Sequence, residues 1–349
     1  MLENGRMPRF RESWCTNHDP WYDGRAHAHT IVDAPGRGSL LSIGEVLEIV
    51  KGHLRLDLAG ARVRVVHPFT WSNRPGSIGL SGMLKKLDHH PRLERFRLDE
   101  TFSDVRNDFL GPVFDLFVPD GQSLSIHAWH LDRFLWSETE NTESGWLTVE
   151  VDLLLLRNGC GFLVTHGECP AMAPDGTGSA MTALLAEQKR RCERIESIET
   201  LLYPLLGTVQ ASTGYVHAAV RARSVQADRR DLEGLCYKVA HRLDYRRDEE
   251  SLHSDEDAQI LSRNGRLLRL IPVQQHILFG FSQRGACLCL LDDGRDTAKR
   301  DFYEARFAGA HFAAFLIGLV QRTTLLSLSA RLGGLLRGRS REWSALLIK

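Results

Sequence analysis

The chain has 349 residues, 43% hydrophobic and 25% charged, and its 44 basic side chains balance 44 acidic ones. That balance excludes an overall field for nucleic acid or an anionic membrane, and the length suits two domains with sizeable cores. Seven scattered cysteines, without an apolar leader core at the N-terminus, exclude a disulfide framework and point to a reduced cytoplasm.

Residues 1–38 are polar and rich in Arg, His, Gly and Pro, which reads as a loosely ordered N-terminus. Ser42-Ile-Gly-Glu45 is a capping-box pattern that opens a short helix through about His53. The run Ala61–Phe69 alternates at period two, as a strand does. Gly76–His90 reads as a loop and a helix, with another helix or turn near Glu100–Asp108. Val113–Val118 and Ser123–Trp129 read as two strands across the Pro119-Asp-Gly turn.

The clearest sheet signal is Trp146–Leu156, Arg157-Asn158-Gly159 and Cys160–Thr165, because Asn-Gly between apolar runs marks a hairpin. A Pro- and Gly-rich linker at Gly167–Gly178 places a domain boundary. Beyond it, Ser179–Leu206 reads as one long amphipathic helix with Leu184, Cys192, Ile198, Leu202 and Leu205 on one face. Its Lys189-Arg190-Arg191, Glu193, Glu196 and Glu199 read as the solvated side. A helix at Asp231–His241 and an acidic loop at Asp248–Asp257 follow, then strands at Leu267–Ile271, Gln275–Phe281 and Ala286–Leu291.

The stretch from Asp296 to about Leu336 contains no proline and predicts a helix of roughly 55–60 Å. Its apolar core, Phe307–Val320, is shorter than the roughly 18–20 residues of a membrane span. Extension to Leu328 brings in Gln321 and Arg322, and an arginine there costs about 2.5–3.5 kcal/mol on insertion scales. A buried helix at a domain or oligomer interface is therefore the preferred reading, with Phe312, Phe315 and Leu319 facing another helix, most simply Ser179–Leu206. Gln321 and Arg322 lie about 100° apart, so Arg322 must be paired or reach solvent along its own stem. The chain's end at Leu346-Leu-Ile-Lys349, within a still-apolar pattern, reads as a truncation.

No motif identifies a reaction. Fifteen histidines include His27 and His29 near His18, the pair His127 and His130, and the run Asp88-His89-His90. None has the spacing of a zinc site, and they read as structural or solvated histidines. His166-Gly-Glu168 lacks the paired cysteines of a zinc deaminase. Cys287 and Cys289, both on one face of a strand, read as core. Gly-x-Ser-x-Gly, phosphate-loop and Gly-x-Gly-x-x-Gly patterns are missing. The acidic run Glu249, Glu250, Asp255, Glu256 and Asp257 reads as a solvated loop in preference to an oxygen site for Mg2+.

Two stretches together carry a family resemblance. One is Ile277-Leu-Phe-Gly-Phe-Ser-Gln-Arg-Gly285-Ala followed by Phe302-Tyr and the Phe312 to Ser329 run; the other is Val151 to Leu163, through Gly159. They resemble bacterial CorA-like magnesium transporter proteins. The resemblance implies a cytoplasmic α/β body feeding a long helix, a homo-oligomer, Mg2+ as the cation, and membrane contact through the C-terminal helix at the inner face of the plasma membrane. The Gly-Met-Asn pore signature of CorA channels is absent, as is a second hydrophobic helix before Lys349.

The expectation is thus an α+β fold of two α/β portions, residues 39–166 and 179–295, each with an antiparallel hairpin, followed by the helix at 296–349. The expected function is that of a non-enzymatic, oligomeric CorA-like protein linked to membrane cation transport. The alternative is a soluble ligand-sensing or protein-interaction module. No catalytic, cofactor or metal residue is assigned; the candidate site is a helix interface made by Phe312, Phe315, Leu319, Gln321 and Arg322.

Overall fold

A computed structural model describes residues 55–72, 80–118, 125–132, 147–168, 177–223 and 269–347 apart from 275, 283 and 293–296. It also describes Leu232, Leu235, Cys236, Val239 and Ala240, and all of these residues lie in the unit Leu41–Lys349. The readings at residues 1–38, Ser42–His53, the histidines before residue 30 and the acidic run at 249–257 fall outside the described residues.

The fold is α+β, as the alternation of period-two runs with helical ones implies. Its frame is β1 (Arg55–Ser72), eighteen residues long. On one side β1 pairs antiparallel with β5 (Cys160–Glu168), which continues through β4 (Leu147–Leu156) and β3 (Ile126–Leu131) to β2 (Leu93–Phe96). On its other side lie β6 (Thr208–Ala211) and β7 (Tyr215–Arg223), followed by β10 (Gly285–Asp292), β9 (Ile277–Phe281) and β8 (Arg269–Gln274). β10 runs parallel to β7, whereas the other pairs are antiparallel. Strands from both expected portions therefore share one ten-stranded sheet. The hairpin of β4 and β5 turns at Asn158-Gly159, where Gly159 takes φ 85°, a conformation that costs glycine little.

One face of the sheet carries α1 (Leu80–Asp88), α2 (Thr177–Cys192) and α3 (Ile195–Leu206). The single helix expected over Ser179–Leu206 is two helices, broken at Glu193 and Arg194. Leu184 and Cys192 pack with Val63 and Val65, while Ile198, Leu202 and Leu205 pack with Phe69 and Leu163. A straight rod cannot follow a twisted sheet over that span, so the helix bends between the two cores. At the break, His67 Nε2 donates to the Arg191 carbonyl at 2.9 Å. Arg191 is not solvated as expected. It is 1% exposed, ion-paired with Glu187 and hydrogen-bonded to Thr148.

The opposite face carries the segment 98–117 and the C-terminal helix. Val113–Val118, expected as a strand, forms helical turns at Gly111–Phe114 and Asp115–Phe117, with Pro112 in the first turn. Helical spacing puts Phe114 and Phe117 into one cluster with Phe102 and Phe162, which a strand would split between two faces.

The C-terminal helix begins as α4 (Thr297–Arg306), widens into a π turn at Phe307–His311 and continues as α5 (Phe312–Leu347). Phe312, Ala313, Leu316, Ile317, Leu319 and Val320 are buried against the sheet face that holds Val66, Phe162 and Val164. The partner expected for Phe312, Phe315 and Leu319 was the helix at Ser179–Leu206. That region lies on the other face, and the actual partners are the sheet and Phe102.

Candidate functional site

Beneath the π turn, neighbouring strands place ionisable residues at matching register on one face. Glu150 pairs with His166, His166 with Arg64, and Arg64 with His217, forming a row across β4, β5, β1 and β7. One register step along, His130 faces Asp152. The bulge in β4 between Thr148 and Glu150 interrupts the ladder beside this cluster, a device that re-aims side chains.

The hydrogen bonds run as one chain from the sheet surface to the helix. Arg64 Nη1 donates to the Ala308 carbonyl at 2.6 Å, and Arg64 Nε donates to His166 Nδ1 at 3.2 Å. Arginine can only donate, so His166 accepts at Nδ1 and must carry its proton on Nε2. That proton is donated to Asp152 Oδ2 at 2.9 Å. Asp152 Oδ1 in turn accepts from His130 Nδ1 at 2.7 Å, and Glu150 Oε1 lies 3.1 Å from the same nitrogen. The His130 ring is held by stacking on Phe96, with centroids 3.8 Å apart.

A π turn offsets the regular carbonyl ladder, and such turns recur at functional sites. Here small residues, Ala308-Gly309-Ala310, let the helix lie close to the sheet, and the Ala308 carbonyl takes the guanidinium. Phe312 completes the contact: the Arg64 guanidinium lies 4.4 Å from its ring centroid, and His166 meets the same ring edge-on.

The electrostatics follow from burial and pairing. Burial lowers the Arg64 pKa to about 10 against the opposing pull of Asp152 and Glu150, so Arg64 remains charged at neutral pH. Burial works against the Asp152 carboxylate, yet hydrogen bonds from His130 and His166 hold its pKa below the ordinary value. Burial likewise opposes charge on His130, but Asp152 and then Glu150 raise its pKa overall. Among the described residues His217 has no such partner, and it is pushed well below the usual imidazole range by burial and by the nearby Arg64 charge. It stacks on Phe307 with centroids 3.9 Å apart. Its Nε2 has no hydrogen-bond partner among the described residues. A cavity of about 30 Å³ between Arg62, Arg64, His217, Glu304 and Ala308 leaves room there for one or two waters.

His130, Glu150 and Asp152 offer one nitrogen and two oxygens within 4.8 Å of one another. The separations of 2.7 and 3.1 Å from His130 Nδ1 bracket the edge of about 2.9 Å between adjacent octahedral ligands 2.0–2.1 Å from one ion. One imidazole with two carboxylates does not fit the all-oxygen preference of Mg2+, the ion implied by the resemblance. It suits Zn2+, Mn2+ or Fe2+ better. Glu150 and His130 are partly exposed, so an ion has an approach from solvent.

Of the residues singled out in the sequence, Phe312 touches this cluster directly through Arg64 and His166. Phe315 is partly buried and packs by His217, and Leu319 is buried further along α5. Gln321 and Arg322 are exposed, and Arg322 reaches solvent with its guanidinium 5.6 Å from the Tyr215 ring centroid. Of the paired His127 and His130, only His130 joins the site, because residues an odd number apart in a strand face opposite ways. Sequence reading missed Arg64, Glu150, Asp152 and His166 as a group. The one available signal was a charged residue at an inward position in each of several apolar strands. Comparisons with protein-family models, with curated proteins and with solved structures returned no match.

Proposed function

We propose that the chain is the non-enzymatic regulatory body of an oligomeric, CorA-like assembly. In it, a divalent transition-metal ion taken by His130, Glu150 and Asp152 is reported to the C-terminal helix. The observation that carries this reading is the unbroken hydrogen-bond chain from Asp152 through His166 and Arg64 to the Ala308 carbonyl. An ion that claims the Asp152 and His130 donor atoms competes with that chain at its outer end. The Arg64 contact at the π turn responds at its inner end.

The helix then supplies the output. Beyond Val320 it carries Leu325, Leu326, Leu328 and Leu332, each 49–63% exposed. Another copy of the same helix would cover these leucines, at Leu325, Leu328 and Leu332 in the three- and four-residue steps of a helix-pair seam. In this reading the assembly sits at the inner face of the membrane, which its C-terminal helix contacts; that contact and the link to cation transport rest on the resemblance.

A soluble ligand-sensing module is the second reading, and one observation favours it. Among the described residues one helix, Ala298–Ala330, could by length and composition cross a membrane, yet 39% of its apolar window is buried inside the protein. That part of its apolar character is already used against the sheet.

Calorimetric titration of the full chain with Zn2+, Mn2+ and Mg2+, with light-scattering mass at each end point, tests the proposal. Wild type should bind Zn2+ or Mn2+ at least tenfold more tightly than Mg2+ and change its oligomeric mass or helix protection, and Asp152→Asn should do neither. Binding that is unaltered in Asp152→Asn overturns the assignment. Fractionation without detergent separates the two readings, because recovery in the soluble fraction supports the module.

A further inference from the structure

On the opposite face of the sheet, three cysteines meet inside a core whose other members are aliphatic side chains and Cys192. Cys287 and Cys289 are two apart in β10, so both point to the same face, and Cys236 comes from a helical segment packed over it. All three are fully buried, and their sulfurs lie within 4.8 Å of one another. Cys236 Sγ and Cys287 Sγ are 3.0 Å apart. That is too long for a disulfide of about 2.05 Å. Displacement of either side chain by less than about 1 Å gives the separation of about 3.8 Å found between thiolates on one zinc ion.

Three apolar-packed thiols would be an ordinary core. The geometry argues otherwise. Three sulfurs from two separate elements converge, all within 4.8 Å of one another, around a point that one cation could share. Cys287 Sγ also donates to the Cys236 carbonyl at 3.2 Å, so the segment bearing Cys236 is already drawn against β10.

We propose that Cys236, Cys287 and Cys289 are thiolate ligands of a single buried d10 cation, Zn2+ or Cu+, that ties the helical segment bearing Cys236 to β10. Both ions favour thiolate sulfur. Binding replaces the thiol protons with metal–sulfur bonds and releases the protons to solvent, with no change of oxidation state. The site is enclosed, so the ion enters as the chain folds and contributes to holding the core together. Its role is structural and independent of the surface cluster.

The test is metal analysis of the full chain in the Asp152→Asn background, so that the surface cluster supplies no ion to the count. Purified protein should hold one equivalent of zinc or copper per chain, and the analysis distinguishes the two. Cys236→Ser and Cys289→Ser should lower that content at least tenfold, while Cys192→Ser, altered in the same core but outside the trio, should retain it. Should the serine variants fail to fold, refolding the parent protein with Co2+ decides the matter: thiolate-to-cobalt charge-transfer absorption supports the site. Protein free of zinc and copper both as purified and after refolding with each ion overturns the proposal. So does an intact mass showing a Cys236–Cys287 disulfide, metal content insensitive to the cysteine substitutions, or a cobalt form without charge-transfer absorption.

Discussion

Arg64 satisfies two partly buried acceptors, the Ala308 carbonyl and His166 Nδ1. Arg64→Met keeps most of the stem but orphans both, and each orphan costs about 1–3 kcal/mol. Urea denaturation should show a loss in that range or above; a loss under 0.5 kcal/mol on the order of a surface change would mean the bonds to the helix do not hold it. His217 gives a second test at this scale. Its folded pKa is depressed by burial, by Arg64 and by the facing His311 and His166, so the unfolded chain takes up its proton first on acidification. Its contribution is fully present above the unfolded value of about 6.5 and is lost progressively as pH falls below it, at up to about 1.4 kcal/mol per pH unit. Replacement by Phe keeps a ring against Phe307. The difference in unfolding free energy between His217→Phe and wild type should thus shift in favour of the variant from pH 7 to pH 5, and a pH-independent difference would contradict the assignment. A third residue is fixed by sterics alone. A Cβ on Gly285 would lie 2.3 Å from the Val216 carbonyl oxygen across the parallel pair of β7 and β10. Gly285→Ala should lower the thermal midpoint by an amount matching overpacking of about 1–3 kcal/mol.

At the scale of elements, the C-terminal helix has two parts with different duties. Its first part is core: Phe312 is 6% exposed and touches Phe102, Arg64, His166 and His217. Phe312→Ala should cost about 3–5 kcal/mol by chemical denaturation. Leu326→Ala, at a position 60% exposed, should fall within about 0.5 kcal/mol of wild type. Similar costs for the two would show that the far part of the helix is also packed within one chain. The ion pairs of Arg221 with Glu304 and of Arg306 with Asp108 pin the start of the helix over the sheet. The second pair is more exposed than the first and is expected to add little.

For the whole molecule, the single sheet carries different chemistry on its two faces. The thiol trio and the Glu187–Arg191 pair lie on the face under α2, while the histidine and carboxylate chain lies under the π turn. The projecting leucines are the surface that the oligomer proposal needs. Changing Leu325, Leu328 and Leu332 together to Gln should reduce the mass measured by light scattering to that of one chain, without moving the unfolding midpoint extrapolated to low protein concentration. A wild-type mass of one chain, or a mass that the substitutions leave unchanged, would overturn the proposal for these leucines.

Local pattern alone determined several elements: the Asn158-Gly159 hairpin, the strand around Val63–Val66, and the long C-terminal helix on which Arg322 had to pair or reach solvent. Each rests on interactions a few residues apart, a turn type, a period of two or a period of 3.6, which neighbouring residues specify without help. The candidate site was not legible in the same way. Arg64, Glu150, Asp152 and His166 are separated by as much as about a hundred residues, and each alone reads as an ordinary charge in a strand. Strand register brought them to one face. Tertiary packing likewise bent Ser179–Leu206 at Glu193 and Arg194, because two cores on a twisted sheet needed different directions. It coiled Val113–Val118 into turns, because Phe114 and Phe117 bury together only at helical spacing. It also put strands from both expected portions into one sheet by pairing β1 with β5 on one side and β7 on the other. Sequence periodicity tells which way a side chain faces along its own strand; which charges then meet depends on the neighbours that the fold supplies.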